Sequence, residues 1–299
     1  MSDAVSEALG PYGLRALGEE RDQLGEGPVW NQRYGELWHV DIAGGKVHVS
    51  PLPHSLSVTL DFDGEVSSVV PRAAGGMVVT VGHEIVTLDA DGVRAKLACV
   101  EHELADNRFN DCRCDTKGRL WAGTMSKTRR PGTAALYCLA PGEPIQRMVP
   151  ETTLSNGISW SPSGEQMYFV DSTTQRIDVF DFEPSAGAIS DRRALAYVEP
   201  NDGLPDGIAV DSEGSIWLCL FGGGALRRYS SDGVLEEEIQ LPVTNPTCPT
   251  FGASDLGTLF VTTAKHRLSK RQLASEPLAG AVLALEPGVR GLPVNEFGG

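Results

Sequence analysis

Three short stretches of the chain, Glu26-Gly27-Pro28, Asn156-Gly157-Ile158 and Asp206-Gly207-Ile208, place an oxygen-bearing side chain directly before a glycine. Each stands a short step ahead of a second glycine. Asn110, Asn156 and Asp206 lie eight residues before Gly118, Gly164 and Gly214, and Glu26 lies nine before Gly35. Equivalent residues of a repeated unit project toward one place, so the register predicts four convergent oxygen ligands. Carboxylate and amide oxygens without thiolate or imidazole favour hard divalent ions such as Ca²⁺, Mg²⁺ or Mn²⁺, although Zn²⁺ or Fe²⁺ can occupy an oxygen-rich site. None of the six histidines falls in register. The equivalents in the other two repeats, near Ser67 and Pro249, carry no charge, which leaves one side of the site open for a ligand. Taken singly, Asn-Gly and Asp-Gly are hairpin-turn dipeptides. Glu26 is no turn former, and its recurrence in the same register favours the ligand reading.

The second glycine of each step opens an apolar, mostly aromatic-tipped segment: Gly35-Glu36-Leu37-Trp38, Gly118-Arg119-Leu120-Trp121, Gly164 to Tyr168, Gly214-Ser215-Ile216-Trp217 and Gly257-Thr258-Leu259-Phe260, with a degenerate copy at Gly75 to Val79. The turn glycines are 40, 43, 46, 50 and 43 residues apart, a period that marks propellers or solenoids. The segments alternate apolar and polar residues or run β-branched between Gly, Asp, Ser and Pro turns, which predicts strands such as Leu37 to Ile42, Met77 to Val81, Leu120 to Thr124 and Ala281 to Leu285. With about four strands per repeat, radial closure protects the sheet edges and leaves a central channel. The expectation is an all-β fold, a six-bladed β-propeller forming one domain over residues 1–299. The first twenty or so residues supply either a strand that closes the last blade or a flexible lead-in.

The chain has 299 residues, and its 34 glycines and 19 prolines fall at turns between the strands. A net charge of −15 with only isolated basic pairs, Arg129-Arg130 and Lys270-Arg271, argues against nucleic acid. Those pairs read as solvated loop charge. No run of eighteen apolar residues and no basic, apolar leader is present, so the expectation is a cytoplasmic protein with no membrane partner, a monomer or weak homo-oligomer. The six cysteines form neither a disulfide framework nor paired knuckles, and Cys112-Arg113-Cys114 reads as two buried small hydrophobes. Gly222-Gly223-Gly224, lying between two strands, reads as a tight connection rather than a phosphate cradle. Loops around Lys127 to Pro131 and His266 to Pro277 are candidates for covering the channel.

The runs Leu24-Gly25-Glu26-Gly27-Pro28-Val29-Trp30, Arg108-Phe109-Asn110-Asp111, Ala122-Gly123-Thr124-Met125, Leu154-Ser155-Asn156-Gly157, Pro205-Asp206-Gly207 and Phe251-Gly252 resemble, in order and over nearly the full length, the regucalcin (senescence marker protein)/gluconolactonase family. That resemblance implies a six-bladed propeller holding one divalent cation and hydrolysing sugar lactones to aldonic acids. It implies Glu26, Asn156 and Asp206 as metal ligands, and Arg108 and Asn110 as residues that hold the substrate. Two departures stand out. Thr128 occupies the place of a substrate-contacting glutamate of regucalcin, and Cys112 follows Asn110-Asp111 where relatives often have glycine.

The mechanism expected from these residues is hydrolysis in which a cation polarises the lactone carbonyl and acidifies water, with Asp206 as the base. Two other functions use the same residues: a phosphotriesterase-type hydrolase, and a non-enzymatic calcium-binding or regulatory protein.

Overall fold

The computed structural model of the chain describes residues 10–52, 57–89 and 91–299. Six four-stranded antiparallel sheets follow one another along the sequence. Their innermost strands are Gly25–Asn31, Val66–Pro71, Asn107–Cys114, Ser155–Trp160, Leu204–Val210 and Pro246–Gly252. Each packs against the innermost strands of the neighbouring blades, which closes a ring around a channel. This is the six-bladed propeller that the glycine period predicts. The strand Met77–Val81 has the predicted bounds, and Leu120–Ser126 and Val282–Leu285 differ from them by one or two residues.

The repeated glycine sits in the turn from the innermost to the second strand of its blade. In blades 3 and 5 an aspartate clasps that turn. Asp115 Oδ1 accepts the backbone N–H groups of Lys117 and Arg119, while its Oδ2 accepts the indole N–H of Trp121 at 3.0 Å. Asp211 does the same for Glu213, Ser215 and Trp217. Gly118 and Gly214 adopt φ of +73° and +91° beside these clasps, a region costly for other residues. One carboxylate therefore couples turn geometry to core packing. Trp121 is fully buried among Leu136, Ile158, Phe169 and Phe180 of blades 3 and 4. Burial of each such side chain contributes about 1.5–3 kcal/mol.

The ring is closed by the N-terminal segment. Arg15–Leu17 pairs antiparallel with Val282–Leu285, making it the outermost strand of blade 6. Leu14, 2% exposed, enters the core shared by blades 5 and 6. Of the two expectations for the N-terminal region, this segment is the closing strand, while residues 1–9 lie outside the described ones.

The C-terminal residues run across the channel end at which the innermost strands finish. Phe297 N–H donates to Pro71 O, Ser212 N–H to Arg290 O and Asn295 Nδ2 to Cys114 O, tying this segment to blades 2, 5 and 3. Leu292, Pro293, Val294 and Asn295 line a cavity of about 270 Å³ inside that end.

One expectation is corrected. Lys270 and Arg271 stand in a short helix, Lys270–Ser275, rather than on an irregular loop. Ser269 and Gln272 form the reciprocal capping box that satisfies its first free N–H groups, so a local side-chain pair lets one turn form where strand periodicity gave no helix signal. Among the described residues all six cysteines are free, and Cys112 and Cys114 are buried as expected. The residues Gly222-Gly223-Gly224 join Ile216–Phe221 to Ala225–Tyr229 as a strand connection. No helix among the described residues is long and apolar enough to cross a membrane.

Candidate metal and active site

Every innermost strand loses register with its neighbour at a comparable point: between Glu26 and Val29, Val66 and Ser68, Phe109 and Cys112, Ser155 and Ile158, Pro205 and Ile208, and Pro246 and Pro249. A β-bulge leaves a residue unpaired and re-aims its side chain. Asn110, Asn156 and Asp206 are first in their bulges, and Glu26 borders its own. The glycines that follow have a steric cause. A Cβ on Gly157 would lie 2.8 Å from Asp206 O, and one on Gly207 would lie 2.4 Å from Cys248 Sγ. Asn156-Gly157 and Asp206-Gly207 are thus bulge residues packed against the next blade, not hairpin turns. Replacing Gly157 by alanine is expected to cost about 1–3 kcal/mol, read as a lower urea midpoint, and to weaken cation binding in calorimetry.

Ser67 is the bulge residue of blade 2. In blade 6 the bulge falls at Thr247 and Cys248 rather than at Pro249. More paired strand follows that bulge, and Gly257 ends its turn, so counting eight residues back from Gly257 stops two short.

In blades 1 and 4 the chain entering the bulge is anchored from the second strand. Asp41 accepts the N–H groups of Gln23 and Leu24 ahead of Glu26, and Asp171 accepts those of Thr153 and Leu154 ahead of Asn156. Beyond these anchors the side chains form one chain of hydrogen bonds. Arg108 donates to Asn110 Oδ1 at 2.7 Å and to Phe109 O at 2.8 Å. Asn110 Nδ2 donates to Asn156 Oδ1 at 2.6 Å and Ser155 O at 2.8 Å, and Asn156 Nδ2 donates to Ser172 Oγ at 2.8 Å. Arg108 Nε lies 3.4 Å from Glu65 Oε1, and Lys127 holds the other Glu65 oxygen at 3.2 Å.

Glu26 and Asp206 are buried beside this chain. Burial, then the Asp111 charge, pushes the Glu26 pKa up to about 8. Burial, then Glu26 and Asp111, pushes Asp206 well above the usual carboxylate range, with Arg108 and Arg129 opposing. Asp111 is raised by burial against the pull of Arg113. Its two carboxylate oxygens are buried with no side-chain partner, facing only the backbone N–H groups of Cys112 and Ile158 in poor hydrogen-bond geometry. Three carboxylates buried together, with Asp111 raising Glu26 and both raising Asp206, are relieved by a cation, and the all-oxygen donor set suits a hard divalent one. The residues present therefore fit the cation that the register calls for.

The structure thus brings Glu26, Arg108, Asn110, Asn156 and Asp206 into one neighbourhood. It adds Asp111, to which the sequence reading assigned no role. The available signal was that blade 3 has a second polar residue where blades 4 and 5 have glycine. Both loops read as channel covers stand near this site. Arg129 acts on Asp206, and Arg267, Arg108 and Arg129, after burial, hold His266 below its usual pKa.

The carboxylate cluster sets a pH dependence. Glu26 is protonated in the metal-free fold up to about pH 8 but ionises from 4.5 upward in the unfolded chain. The fold then binds the extra proton, so its stability falls as pH rises through that window. In EDTA, Tm is expected to drop by about 5 °C or more from pH 5 to 8, and Glu26→Gln or added Ca²⁺ to flatten the slope.

Residues 24–265 match the SMP-30/Gluconolactonase/LRE-like family, a span that contains all six bulges. The chain belongs to this family. It is 32% identical over 294 residues to regucalcin of Gallus gallus, covering 96% of this chain and 98% of that one. Among solved structures it is similar to a calcium-binding protein, regucalcin, of Agrobacterium tumefaciens (TM-score 0.91, 27% identity, 95% and 96% of the two chains). It is also similar to the gluconolactonase XC5397 of Xanthomonas campestris (TM-score 0.76, 25% identity, 96% and 93%). Within the SMP-30/gluconolactonase/LRE-like frame, the two sequence departures have local explanations. Cys112 follows the blade 3 bulge, pairs with Ala122, and accepts a hydrogen bond from Ser68 Oγ at 2.7 Å. Thr128 is exposed, 3.2 Å from Ser126 Oγ in the loop that carries Lys127 and Arg129.

Proposed function

We propose that the protein hydrolyses a sugar lactone to its aldonic acid at the bulge ring, using one divalent cation. The chain is a hydrolase of lactone ester bonds on the strength of its family. The observation that carries the finer reading is the cluster of pKa-raised carboxylates joined to the Arg108–Asn110–Asn156 hydrogen-bond chain. Glu26, Asn156 and Asp206 would hold the cation. When bound, it supplies Lewis acidity that polarises the lactone carbonyl and acidifies water.

The remaining work falls to the chain itself. Arg108 presents a rigid donor fork held by Asn110, Phe109 O and Glu65, suited to gripping hydroxyl and carbonyl oxygens. Asn110, fixed by Ser155 O and Asn156, orients the ring. Asp206 accepts the proton of the attacking water as the new C–O bond forms, then returns it to the ring oxygen as the acyl C–O bond breaks. Burial holds it above the usual carboxylate range in the cation-free fold, and with the cation bound the ionised form would be free to accept a proton.

The test is a pH-indicator screen of glucono-, galactono-, xylono- and arabinono-lactones with EDTA-stripped protein refilled by Ca²⁺, Mg²⁺, Mn²⁺ or Zn²⁺. Turnover that requires refilling, and that falls in Arg108→Lys and Asn110→Ala, is expected. No turnover of any lactone with any ion would end this reading. Turnover of organophosphates that ignores Arg108 and Asn110 would replace it with phosphotriester hydrolysis.

A further inference from the structure

Away from the innermost strands, blade 1 holds a second cluster of metal-ligating side chains. His39, on strand Glu36–Asp41, and His48, on strand Lys46–Pro51, face each other as a cross-strand pair, their rings stacked with centroids 4.8 Å apart. Asp22 reaches them from the link between the closing strand Arg15–Leu17 and the innermost strand Gly25–Asn31. All three are buried, 4%, 2% and 5% exposed for Asp22, His39 and His48. Asp22 Oδ2 lies 3.1 Å from His39 Nε2, and Asp22 Oδ1 lies 3.2 Å from His48 Nε2. One atom from each residue can be chosen so that all lie within 4.8 Å of one another.

A simple hydrogen-bonded trio accounts for only part of this. The His39 contact has hydrogen-bond geometry, but His48 Nε2, although close to Asp22, has no partner in acceptable geometry. His48 Nδ1 lies 3.0 Å from Thr59 Oγ1. When that nitrogen donates to Thr59, Nε2 presents a lone pair toward the carboxylate. Against the effect of burial, Asp22 raises the His48 pKa, so at low pH a proton fills this gap, and in the neutral ring the two acceptors held at 3.2 Å are the pair that a cation between them would satisfy. A remote partner that fixes the tautomer of a ligating histidine is a recurrent feature of metal sites, and His48 has one in Thr59 whereas His39 Nδ1 is buried without one.

From this geometry we infer a second cation site, built by Asp22 Oδ, His39 Nε2 and His48 Nε2, that takes a borderline divalent ion such as Zn²⁺. Two imidazoles and one carboxylate suit zinc over calcium, and the fourth position falls to water. The donor chemistry separates this site from the all-oxygen one in the channel. Its position also gives it a task. Asp22 N–H donates to Gly280 O in blade 6, while both histidines belong to blade 1, so the ion would fasten the seam where the ring closes. The inference does not depend on the lactonase reading.

The test uses the full chain, stripped by chelator, with Asp206→Ala to disable the channel site. Titration with Zn²⁺ or Co²⁺, followed by metal analysis, is expected to find one equivalent retained, a Co²⁺ absorption band typical of low coordination number, and a rise in Tm. His48→Gln in the same background is expected to weaken that binding about 100-fold or more, as loss of a ligand costs at least what loss of its supporting partner does. X-ray absorption of the Zn²⁺-loaded Asp206→Ala protein, in which the cluster is intact, is expected to show two imidazole nitrogens and needs no cluster variant to fold. Absence of Zn²⁺ binding in Asp206→Ala, affinity unchanged by His48→Gln, or an all-oxygen shell would each overturn the site.

Discussion

Asp206→Asn is expected to lower kcat for lactone hydrolysis by about 10²–10⁴-fold, with a smaller change in KM, at saturating cation. The amide keeps an oxygen and the volume of the side chain, so the bulge and part of the cation affinity survive. It cannot accept the proton of water. The wild-type kcat/KM profile should rise with pH as Asp206 ionises, and that limb should vanish in the asparagine variant. Cation binding shifts the limb to lower pH than in the metal-free fold, because the carboxylates no longer face only one another. Asp206→Ala differs in a diagnostic way, losing cation affinity along with turnover. Full turnover by Asp206→Asn at saturating metal would remove Asp206 from the role of base and leave it a ligand.

Deleting the chain through Leu17 should be the most destabilising change outside the channel. It removes the outer strand of blade 6 and the buried Leu14, and it exposes the edge of Val282–Leu285, whose four residues are all buried. Loss of a buried leucine alone costs about 2–5 kcal/mol. A bared apolar edge also invites pairing between molecules. The expected result is a urea midpoint too low to leave a folded population at 37 °C, with aggregation in size-exclusion chromatography. Leu14→Ala should reproduce the transfer and cavity part of the loss without the aggregation. A truncated monomer with an unchanged midpoint would mean that the ring does not depend on this strand.

Much of this architecture was legible because propeller geometry repeats in sequence. The spacing of Gly35, Gly75, Gly118, Gly164, Gly214 and Gly257 gave blade number and strand placement, since each glycine marks the same turn. The register of Asn110, Asn156 and Asp206 gave a convergent set because each blade places its bulge at a comparable point. What sequence counting missed lay where neighbouring blades impose a constraint. Pro249 was mislocated because strand and turn lengths vary between a bulge and its glycine. Asp111 carried no spacing signal of its own, and its consequence arises only when burial sets it beside Glu26 and Asp206. The pairing of His39 with His48 was implicit in a short hairpin, but Asp22 completes the cluster only through ring closure, which no local pattern encodes.

The segment that runs across the far end of the channel has a kinetic consequence. Leu292 to Asn295 run across that side, and the cavity they line includes none of Glu26, Arg108, Asn110, Asn156 and Asp206, so in the proposed reaction lactone and acid would both pass at the opposite end. Under the proposed function the newly formed carboxylate would face Arg108. The aldonate should then act as a competitive inhibitor whose grip relaxes when that arginine is replaced.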